Sequence, residues 1–547
     1  MDSEEPETSL DVSTRSNGKS QLSKVDWIFL WILLLILSLS ILARGNPYYF
    51  EPGRDSGFFM FAGKELLRGK TLYTQIWDSK GPMIFFINAL GFWLGSGSRW
   101  GLWFLELFFL IIVLGLAYSI LNKHWDHRAA LLGTVAGAFS LKQIFGVGNT
   151  VEEYSLLCSF VALFFYLQGL KKKDHRPEDL IIGGSLMASF HLRANNVGVE
   201  IIIILLIIYF TWKEKGFLTS LTRIGWIILG TIFINLPILL YFYLHGTLYR
   251  MVEASIFYNF FYSQEYRSSS LIYHVINDSF LMGIKYFKGW SYVFGLGYTA
   301  CIFYAIKGAR EHKSDPLTIL TLMLLPLEVA LSAISGRGYQ HYFINWIPAI
   351  VLSYGFFFEF AKEYLLSKDL IRLLNTKAKL CATCFVLVFT ITSQWGNLLL
   401  PVKVLYKSII NPGLQMEYKS RTASYIEENT NVDDKVLVIG GQAGINLMSD
   451  RASMDGSLFY PLINNSSIGM KLQKEYLENL KTQKPVMIID GFAIYPWILP
   501  AVNPEYRAQQ EIATSLAQNT NETLNYIWEN YYLVHEVEDY SIYRIKK

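Results

Sequence analysis

Residues 102–121 read LWFLELFFLIIVLGLAYSIL, an almost uninterrupted apolar run. A helix rises about 1.5 Å per residue, so about 20 such residues span the hydrocarbon core of a bilayer. The composition of the whole chain matches, because 52% of its 547 residues are hydrophobic and only 17% are charged. Aromatic residues make up 16%, as expected where many helix ends lie at the lipid headgroups. The sequence therefore predicts a polytopic integral membrane protein.

Other apolar runs of similar length extend this prediction along the chain. They lie at 27–42, 128–147, 153–169, 180–196, 197–212, 224–245, 290–306, 317–335, 341–360 and 380–398. Together with 102–121 they predict about eleven membrane crossings. The first run has no small-residue cleavage site behind it, so we interpret it as a span and not as a signal peptide. The polar residues 1–24 before it predict a disordered cytoplasmic tail.

The distribution of Lys and Arg predicts the orientation. Basic clusters such as NKHWDHR at 122–128 and LKKKDHR at 170–176 are typical of cytoplasmic loops. With those loops inside, the regions predicted outside the cytoplasm are 44–101, 148–154, 191–196, 246–289, 335–342 and everything after about 399. The apolar segment 82–98 is short for a crossing, and counting it as one would move LKKKDHR outside. We therefore expect a re-entrant or interfacial helix there, in a plasma-membrane protein.

The C-terminal part changes character. Residues 435–441 (KVLVIGG) and 484–491 (KPVMIIDG) are short β-branched runs that each end in Gly, as buried parallel strands often do. The domain prediction is thus a tail at 1–24, a transmembrane domain at 25–400 with its first outer loop at 44–101, and an extracytoplasmic α/β domain at 410–547. A nucleotide site in IGGQAG is an alternative, but the G-x-G-x-x-G spacing is absent.

Ionisable residues concentrate in the predicted outer loops. The first loop contains RDSGFFMFAGKELLRGKTLYTQIWDSKGP at 54–82, and short later loops carry further charges beside the apolar core, where an unpaired charge is costly and usually functional. The candidate residues are Arg54, Asp55, Asp78, Lys80, Glu152, Glu153, Arg193, Arg337, Tyr339 and His341. Carboxylates among cations at one membrane interface suit a reaction on a lipid phosphate. A structural network of ion pairs is the alternative.

Several of these motifs resemble a known family. An acidic residue in the first outer loop is followed by G-K-x-L-L-x-G-x-x-L-Y at 63–73 and by D-x-K-G-P at 78–82, and G-R-x-Y-x-H-Y-F stands at 336–343. This order resembles the polytopic glycosyltransferases of the GT-C superfamily. It is most similar to the bacterial branch related to protein O-mannosyltransferases and to the aminoarabinose transferase acting on lipid A.

The resemblance implies a fold and an activity. The fold would be an α-helical polytopic membrane domain of GT-C type carrying a C-terminal extracytoplasmic α/β domain. The activity would transfer a sugar, with inversion, from a polyprenyl-phosphate donor to a hydroxyl of an envelope glycan, lipid or protein on the outer face of the membrane. Asp55 corresponds to the catalytic base and Glu152 or Glu153 to a second acidic residue. Lys80 corresponds to a ligand of the donor phosphate.

Further expectations follow for ligands and partners. Arg337, His341 and Arg193 are expected to help Lys80 neutralise the leaving phosphate. A divalent metal is possible, and no other cofactor is implied. The net charge of +3 is too small to indicate a nucleic-acid partner.

Two other functions stay open from the sequence. A multi-span transporter would carry charges near the bilayer midplane, often in internally repeated halves, and a non-catalytic polysaccharide-assembly protein would need no base. The Cys381-x-x-Cys384 motif lies in an apolar run, and we interpret it as ordinary helix packing.

Overall fold

The structure is a computed structural model. It describes residues 24–365 and 416–546, apart from 171, 173, 266–269, 314, 459–465, 495–499 and 511–513, and also positions 403, 406, 407 and 410. The predicted tail before Lys24, the predicted span 380–398 and the Cys381/Cys384 motif lie outside the described residues.

Long helices joined by short turns form the N-terminal part. They are α1 (Lys24–Ile41), α2 (Arg54–Leu67), α3 (Met83–Leu94), α4 (Arg99–His124), α5 (His127–Phe145), α6 (Val151–Gly169), α7 (Arg176–Leu192), α8 (Gly198–Lys215), α9 (Phe217–Leu244), α10 (Leu248–Val252), α11 (Tyr258–Glu265), α12 (Leu271–Tyr273), α13 (Met282–Phe287), α14 (Trp290–Arg310), α15 (Pro316–Ala333) and α16 (Ile347–Phe360). Polar side chains fix where several of them begin, since Ser98, Asp126 and Thr150 each accept a hydrogen bond from a backbone N–H of the first turn.

Six helical segments among the described residues are long and apolar enough to cross a membrane. They are Lys24–Gly45, Arg99–His124, Val151–Gly169, Phe217–Leu244, Pro316–Ala333 and Gln340–Tyr364. Helices α5, α7, α8 and α14 coincide with four further predicted spans. The helical polytopic fold is thus confirmed, while the number of crossings and their direction stay predictions.

Helix α3 lies where the sequence predicts a helix that does not cross. It has 12 residues and is therefore about 18 Å long, against a hydrocarbon core of about 30 Å. Its partner in the first outer loop is α2, whose buried Phe58 and Phe59 both pack edge-on against Phe85. The contact is close because a Cβ at Gly63 would stand 2.7 Å from the backbone nitrogen of Ala89. The two helices therefore form one packed unit.

The C-terminal part contains a four-stranded sheet. Its order is β2 (Val436–Ile439), β4 (Met487–Asp490), β6 (Tyr540–Ile545) and β5 (Tyr531–Val537). Helices α17 (Arg421–Asn429), α18 (Gly444–Ser449), α19 (Ser467–Gln483), α20 (Pro504–Gln509) and α21 (Thr514–Asn530) accompany it. Strands β2 and β4 are fully buried and parallel, in register from Val436 with Met487. This agrees with the strand pair predicted from KVLVIGG and KPVMIIDG.

A strand pair, an ion pair and hydrogen bonds connect this C-terminal part to the first outer loop. Strand β1 (Ile76–Trp77) pairs in parallel with β3 (Ser457–Leu458). On α2, the Lys64 ammonium lies 2.7 Å from the Asp450 carboxylate. The buried Arg99 guanidinium also donates to Glu417 at 2.9 Å. The loop that carries the motifs at 54–82 is therefore held between the membrane helices and the C-terminal sheet.

Cysteine labelling tests the orientation of the loop after α3. Ser96 is exposed between α3 and α4, and Thr219 is exposed at the start of α9 beside the basic stretch KEKG. In a cysteine-free background, we expect an impermeant thiol reagent applied outside cells to label Ser96→Cys and not Thr219→Cys. Thr219→Cys should react only after the membrane is opened. Labelling of Ser96→Cys from the cytoplasmic side alone would contradict the interfacial interpretation of α3.

Candidate active site

Five of the candidate residues come together from separate segments of the chain. The charge on Asp55 interacts with those of Lys80 and His341. The imidazole of His341 in turn interacts with Glu152 and Arg193. These groups come from α2, the turn before α3, the start of α6, the end of α7 and the 3₁₀ segment Gln340–Trp346. We call Asp55, Lys80, Glu152, Arg193 and His341 the interfacial cluster.

Asp55 lies in the first turn of α2. Its side chain is 25% exposed and accepts a hydrogen bond from Nε of Arg54 at 2.8 Å. Burial by itself raises the pKa of the Asp55 carboxyl, but Arg54, His341 and Lys80 outweigh that effect and lower the pKa below its usual value. Asp55 is therefore an ionised carboxylate at neutral pH, reachable from solvent.

The D-S-K-G-P motif forms a tight turn that presents Lys80. The backbone N–H of Lys80 donates to the Asp78 carboxylate at 2.7 Å, and the hydroxyl of Tyr73 donates to the Lys80 carbonyl at 2.8 Å. Only glycine fits next, because a Cβ at Gly81 would stand 2.0 Å from the carbonyl oxygen of His191. Within the described part of the chain the half-buried Lys80 ammonium has no direct hydrogen bond or ion pair, so it can take an anionic ligand.

Asp78 supports this turn. Its side chain is 5% exposed. Burial raises the pKa of the Asp78 carboxyl to about 6, and the negative charge of Asp55 adds to that effect while Lys80 opposes it. Asp78 thus changes its charge just below neutral pH.

Glu152 and Arg193 form a buried ion pair across two helices. The guanidinium of Arg193 donates to Glu152 at 2.6 Å, and only 1% of the Glu152 side chain is exposed. Arg193 also lies 3.8 Å above the ring centre of Tyr342, within range of a cation–π interaction. The pair therefore joins α6, the end of α7 and the segment that carries His341.

Aromatic rings surround His341. Its imidazole is parallel to the ring of Tyr339 with centroids 5.8 Å apart, and perpendicular to that of Tyr342 at 4.8 Å. Arg337 lies on the far side of Tyr339, donating to its hydroxyl with the guanidinium 5.6 Å from the ring centre. Arg337 thus reaches the interfacial cluster through Tyr339.

Glu153 occupies a different position from Glu152. One of its carboxylate oxygens accepts from the backbone N–H of Asn149 at 2.8 Å, and Glu106 accepts from the same N–H at 2.6 Å. Of the two acidic residues at the start of α6, Glu152 alone is among the groups that interact with His341.

Beside the interfacial cluster lies a group of buried polar residues that was not predicted from the sequence. Asn88 and Asn149 exchange amide hydrogen bonds, and Glu106 joins them through the Asn149 N–H. Asn88 interrupts the apolar stretch MIFFINALGFWL and Glu106 interrupts LWFLELFFL. A polar residue inside an apolar run is expensive and usually functional, and this rule would have selected both.

The sequence does not decide whether the protein binds a divalent metal ion. Across the described ranges, no three or more His, Cys, Asp and Glu side chains are grouped so as to hold a metal ion.

Replacing Asp78 should change stability in a pH-dependent way. The pKa of Asp78 is raised in the folded state, so the fold favours the protonated carboxyl. The stability that this preference gives the protein is fully present below about pH 4 and is lost as the pH rises through about 6. Asp78→Asn cannot ionise and keeps an oxygen for the Lys80 N–H. We expect the free energy of unfolding of Asp78→Asn to exceed that of the parent by up to about 3 kcal/mol at pH 7 and to equal it near pH 4. The melting temperature should rise accordingly at pH 7.

Asp55→Asn is the matched control for that experiment. The pKa of Asp55 is lowered, so its ionised form stabilises the fold at neutral pH. Thermal melting of the purified proteins at both pH values distinguishes the two variants, because at pH 7 Asp78→Asn should melt above the parent and Asp55→Asn below it. An Asp78→Asn protein that melts lower than the parent at pH 7 would contradict this account of the turn.

Comparison with known proteins identifies the fold. No protein-family model matches the chain, and no curated protein matches it in sequence. Among solved structures, ArnT from Cupriavidus metallidurans in the apo state matches with a TM-score of 0.57 and 14% sequence identity, over 95% of this chain and 98% of ArnT. The oligosaccharyltransferase AglB from Archaeoglobus fulgidus, in complex with an inhibitory peptide and a dolichol-phosphate, matches with a TM-score of 0.48 and 10% identity, over 86% of this chain and 70% of AglB.

The match to ArnT extends over almost the full length of both chains, so it includes the membrane helices and the C-terminal sheet. At this level of identity the likeness concerns the fold. The chain therefore has the fold of the GT-C glycosyltransferases that the motifs at 54–82 and 336–343 resemble.

Proposed function

We propose that the protein transfers a sugar from a polyprenyl-phosphate donor to an acceptor hydroxyl at the outer face of the membrane. The observation that carries the proposal is the interfacial cluster, in which Asp55 interacts electrostatically with Lys80 and His341, and His341 with the Glu152–Arg193 pair. A base and several cations at one membrane interface are what such a transfer requires. The fold shared with ArnT supports the same reaction class.

The charges suit a lipid phosphate. A sugar linked to a polyprenyl phosphate carries one negative charge, and its departure leaves a phosphate monoester with two. Lys80 has no direct partner within the described residues, so its ammonium would bind the phosphate and stabilise the second charge as it develops. His341 and Arg193 lie beside it as further donors.

Asp55 would accept the proton of the acceptor. The acceptor oxygen attacks the anomeric carbon, the bond from that carbon to the phosphate oxygen breaks with its electron pair leaving on the phosphate, and the hydroxyl proton passes to Asp55. A single displacement of this kind inverts the anomeric centre. Lys80 and His341 lower the pKa of Asp55 in the free protein, and a bound phosphate would offset their charge, raising that pKa and making Asp55 a better base.

The other residues would position these groups. Asp78 shapes the Lys80 turn, and Arg337 holds Tyr339 against His341. The half-buried ring of Tyr339 lies beside His341 and offers apolar surface suited to the C–H face of a sugar ring. The acceptor class would be a glycan, lipid or protein of the envelope. Transport is less well supported, since the charges converge at a helix-end interface.

Removing the base should abolish transfer. Asp55→Asn keeps the size of the side chain and cannot accept the proton, so we expect a loss of about 10² to 10⁴ in rate. The matched control is Asp126→Asn. It neutralises a carboxylate that caps the start of α5, in the loop 122–128 that is predicted to be cytoplasmic. Mass analysis of envelope glycans in cells lacking the gene, complemented with each variant, measures the outcome. A glycan restored by Asp55→Asn as fully as by the parent would rule out this role.

Lys80 should dominate binding of the donor phosphate. A charge-assisted hydrogen bond is worth about 1.5–3 kcal/mol, so Lys80→Ala should weaken binding of a polyprenyl phosphate about tenfold to a hundredfold. Arg337→Ala should weaken it less, because Arg337 contacts Tyr339. Lys64→Ala is the control, since Lys64 lies on the same loop as Lys80 but forms an ion pair with Asp450 of the C-terminal part. Equal affinity in the parent and Lys80→Ala would remove Lys80 from the phosphate site.

A further inference from the structure

Two buried carboxyl groups lie behind the turn that carries Asp55. Glu106 on α4 is 2% exposed and Glu153 on α6 is 3% exposed. Both accept a hydrogen bond from the backbone N–H of Asn149, at 2.6 Å and 2.8 Å. They are also close enough to hydrogen-bond each other. We call Glu106 and Glu153 the acid pair.

The only groups that compensate the acid pair among the described residues are backbone N–H groups, those of Asn149 and, for Glu153, Thr150. These N–H groups carry no full charge and cannot offset two buried negative charges. In the described parts of the chain, no Lys, Arg or His side chain forms an ion pair with either carboxyl, and Oε1 of Glu153 is buried without a hydrogen-bond partner. Two carboxylates in such contact repel each other strongly when both are ionised. A proton shared between them removes the repulsion and supplies the donor that their contact needs.

The surroundings of the acid pair contain few other titratable groups. The Tyr154 hydroxyl donates to the Asn149 side chain at 2.9 Å and interacts electrostatically with both carboxyls. On the other side of Glu106 lies a partly open cavity whose wall includes Glu51, Arg99 and Trp103. Arg99 forms an ion pair with Glu417, and the indole N–H of Trp103 is buried without a hydrogen-bond partner among the residues that the structure describes.

Asn149 connects the acid pair to the base. Its side-chain amide donates to the carbonyl oxygen of Ser56 at 3.3 Å, directly after Asp55. Its backbone has φ +52°, a conformation that few non-glycine residues adopt, so the surrounding contacts must hold it. The preceding loop touches the same turn, since a Cβ at Gly53 would stand 2.6 Å from the Val147 side chain. A displacement of Asn149 would therefore displace the first turn of α2.

We propose that Glu106 and Glu153 share one proton and act as positioning residues that hold Asn149, and through it the Asp55 turn, in place. The inference rests on the proposed function for its effect on transfer. Loss of the shared proton at high pH leaves two like charges in contact beside Asn149, and their repulsion pushes the Asn149 loop away from Ser56. Transfer then falls on the alkaline side although Asp55 itself stays ionised.

Infrared spectroscopy tests the shared proton independently of transfer. The parent should show a protonated-carboxyl component that persists above neutral pH and is lost on titration to alkaline pH. Glu106→Gln and Glu153→Gln should each remove that component, since the amide can donate to the remaining carboxylate. Glu328→Gln, which changes another buried Glu in a membrane helix, should keep it. A band that keeps the full parental intensity in both acid-pair variants would overturn the proposal.

The pH profile tests the positioning role. The parent and Glu328→Gln should lose transfer at high pH, by about tenfold per pH unit above the midpoint, as expected for a single proton. In Glu106→Gln this alkaline limb should flatten. An identical limb in the parent and Glu106→Gln would overturn the positioning role. If the parent transfers no sugar, the proposed function fails. The infrared band still decides the shared proton, together with a fall in melting temperature above neutral pH that is smaller in Glu106→Gln than in the parent.

Discussion

The buried ion pair between Glu152 and Arg193 is the contact on which the arrangement of the site depends. The two side chains meet at 2.6 Å with 1% of Glu152 exposed, so neither charge could remain there without the other. By pairing, they fix the start of α6 to the end of α7, and the stacking of Arg193 on Tyr342 adds the segment that carries His341. Three membrane segments are thereby locked around one edge of the interfacial cluster.

The opposite edge comes from the first outer loop, which is held differently. Its helix α2 packs on α3 through aromatic rings, and its strand β1 pairs with β3 of the C-terminal part. Hydrogen bonds from Tyr73 and to Asp78 shape the turn at Lys80 without using its ammonium. Among the described residues the Lys80 ammonium has no direct partner, and a rigid frame around such a cation is the arrangement expected of an anion site, because little of the binding energy goes into reorganisation.

Hydropathy and charge were sufficient to predict the membrane helices, since an apolar run of about 20 residues has few alternatives in a bilayer. The convergence of Asp55, Lys80 and His341 also followed, because charges beside the apolar core face the same interface. The sequence could not predict that Glu152 pairs with Arg193 while Glu153 binds the Asn149 N–H. Adjacent helical residues point in different directions, and the sequence does not show which of the two points to the cluster. The pairing of Ile76 with Ser457 was equally hidden, because it joins parts of the chain about 380 residues apart.

We propose that a polyprenyl phosphate binds at the interfacial cluster. The most direct measurement is an experimental structure of the protein in lipid with a polyprenyl phosphate bound. We expect the phosphate within hydrogen-bond distance, about 3 Å, of Nζ of Lys80, and between Asp55 and His341. A phosphate bound elsewhere, with Lys80 still without an anionic partner, would contradict the account.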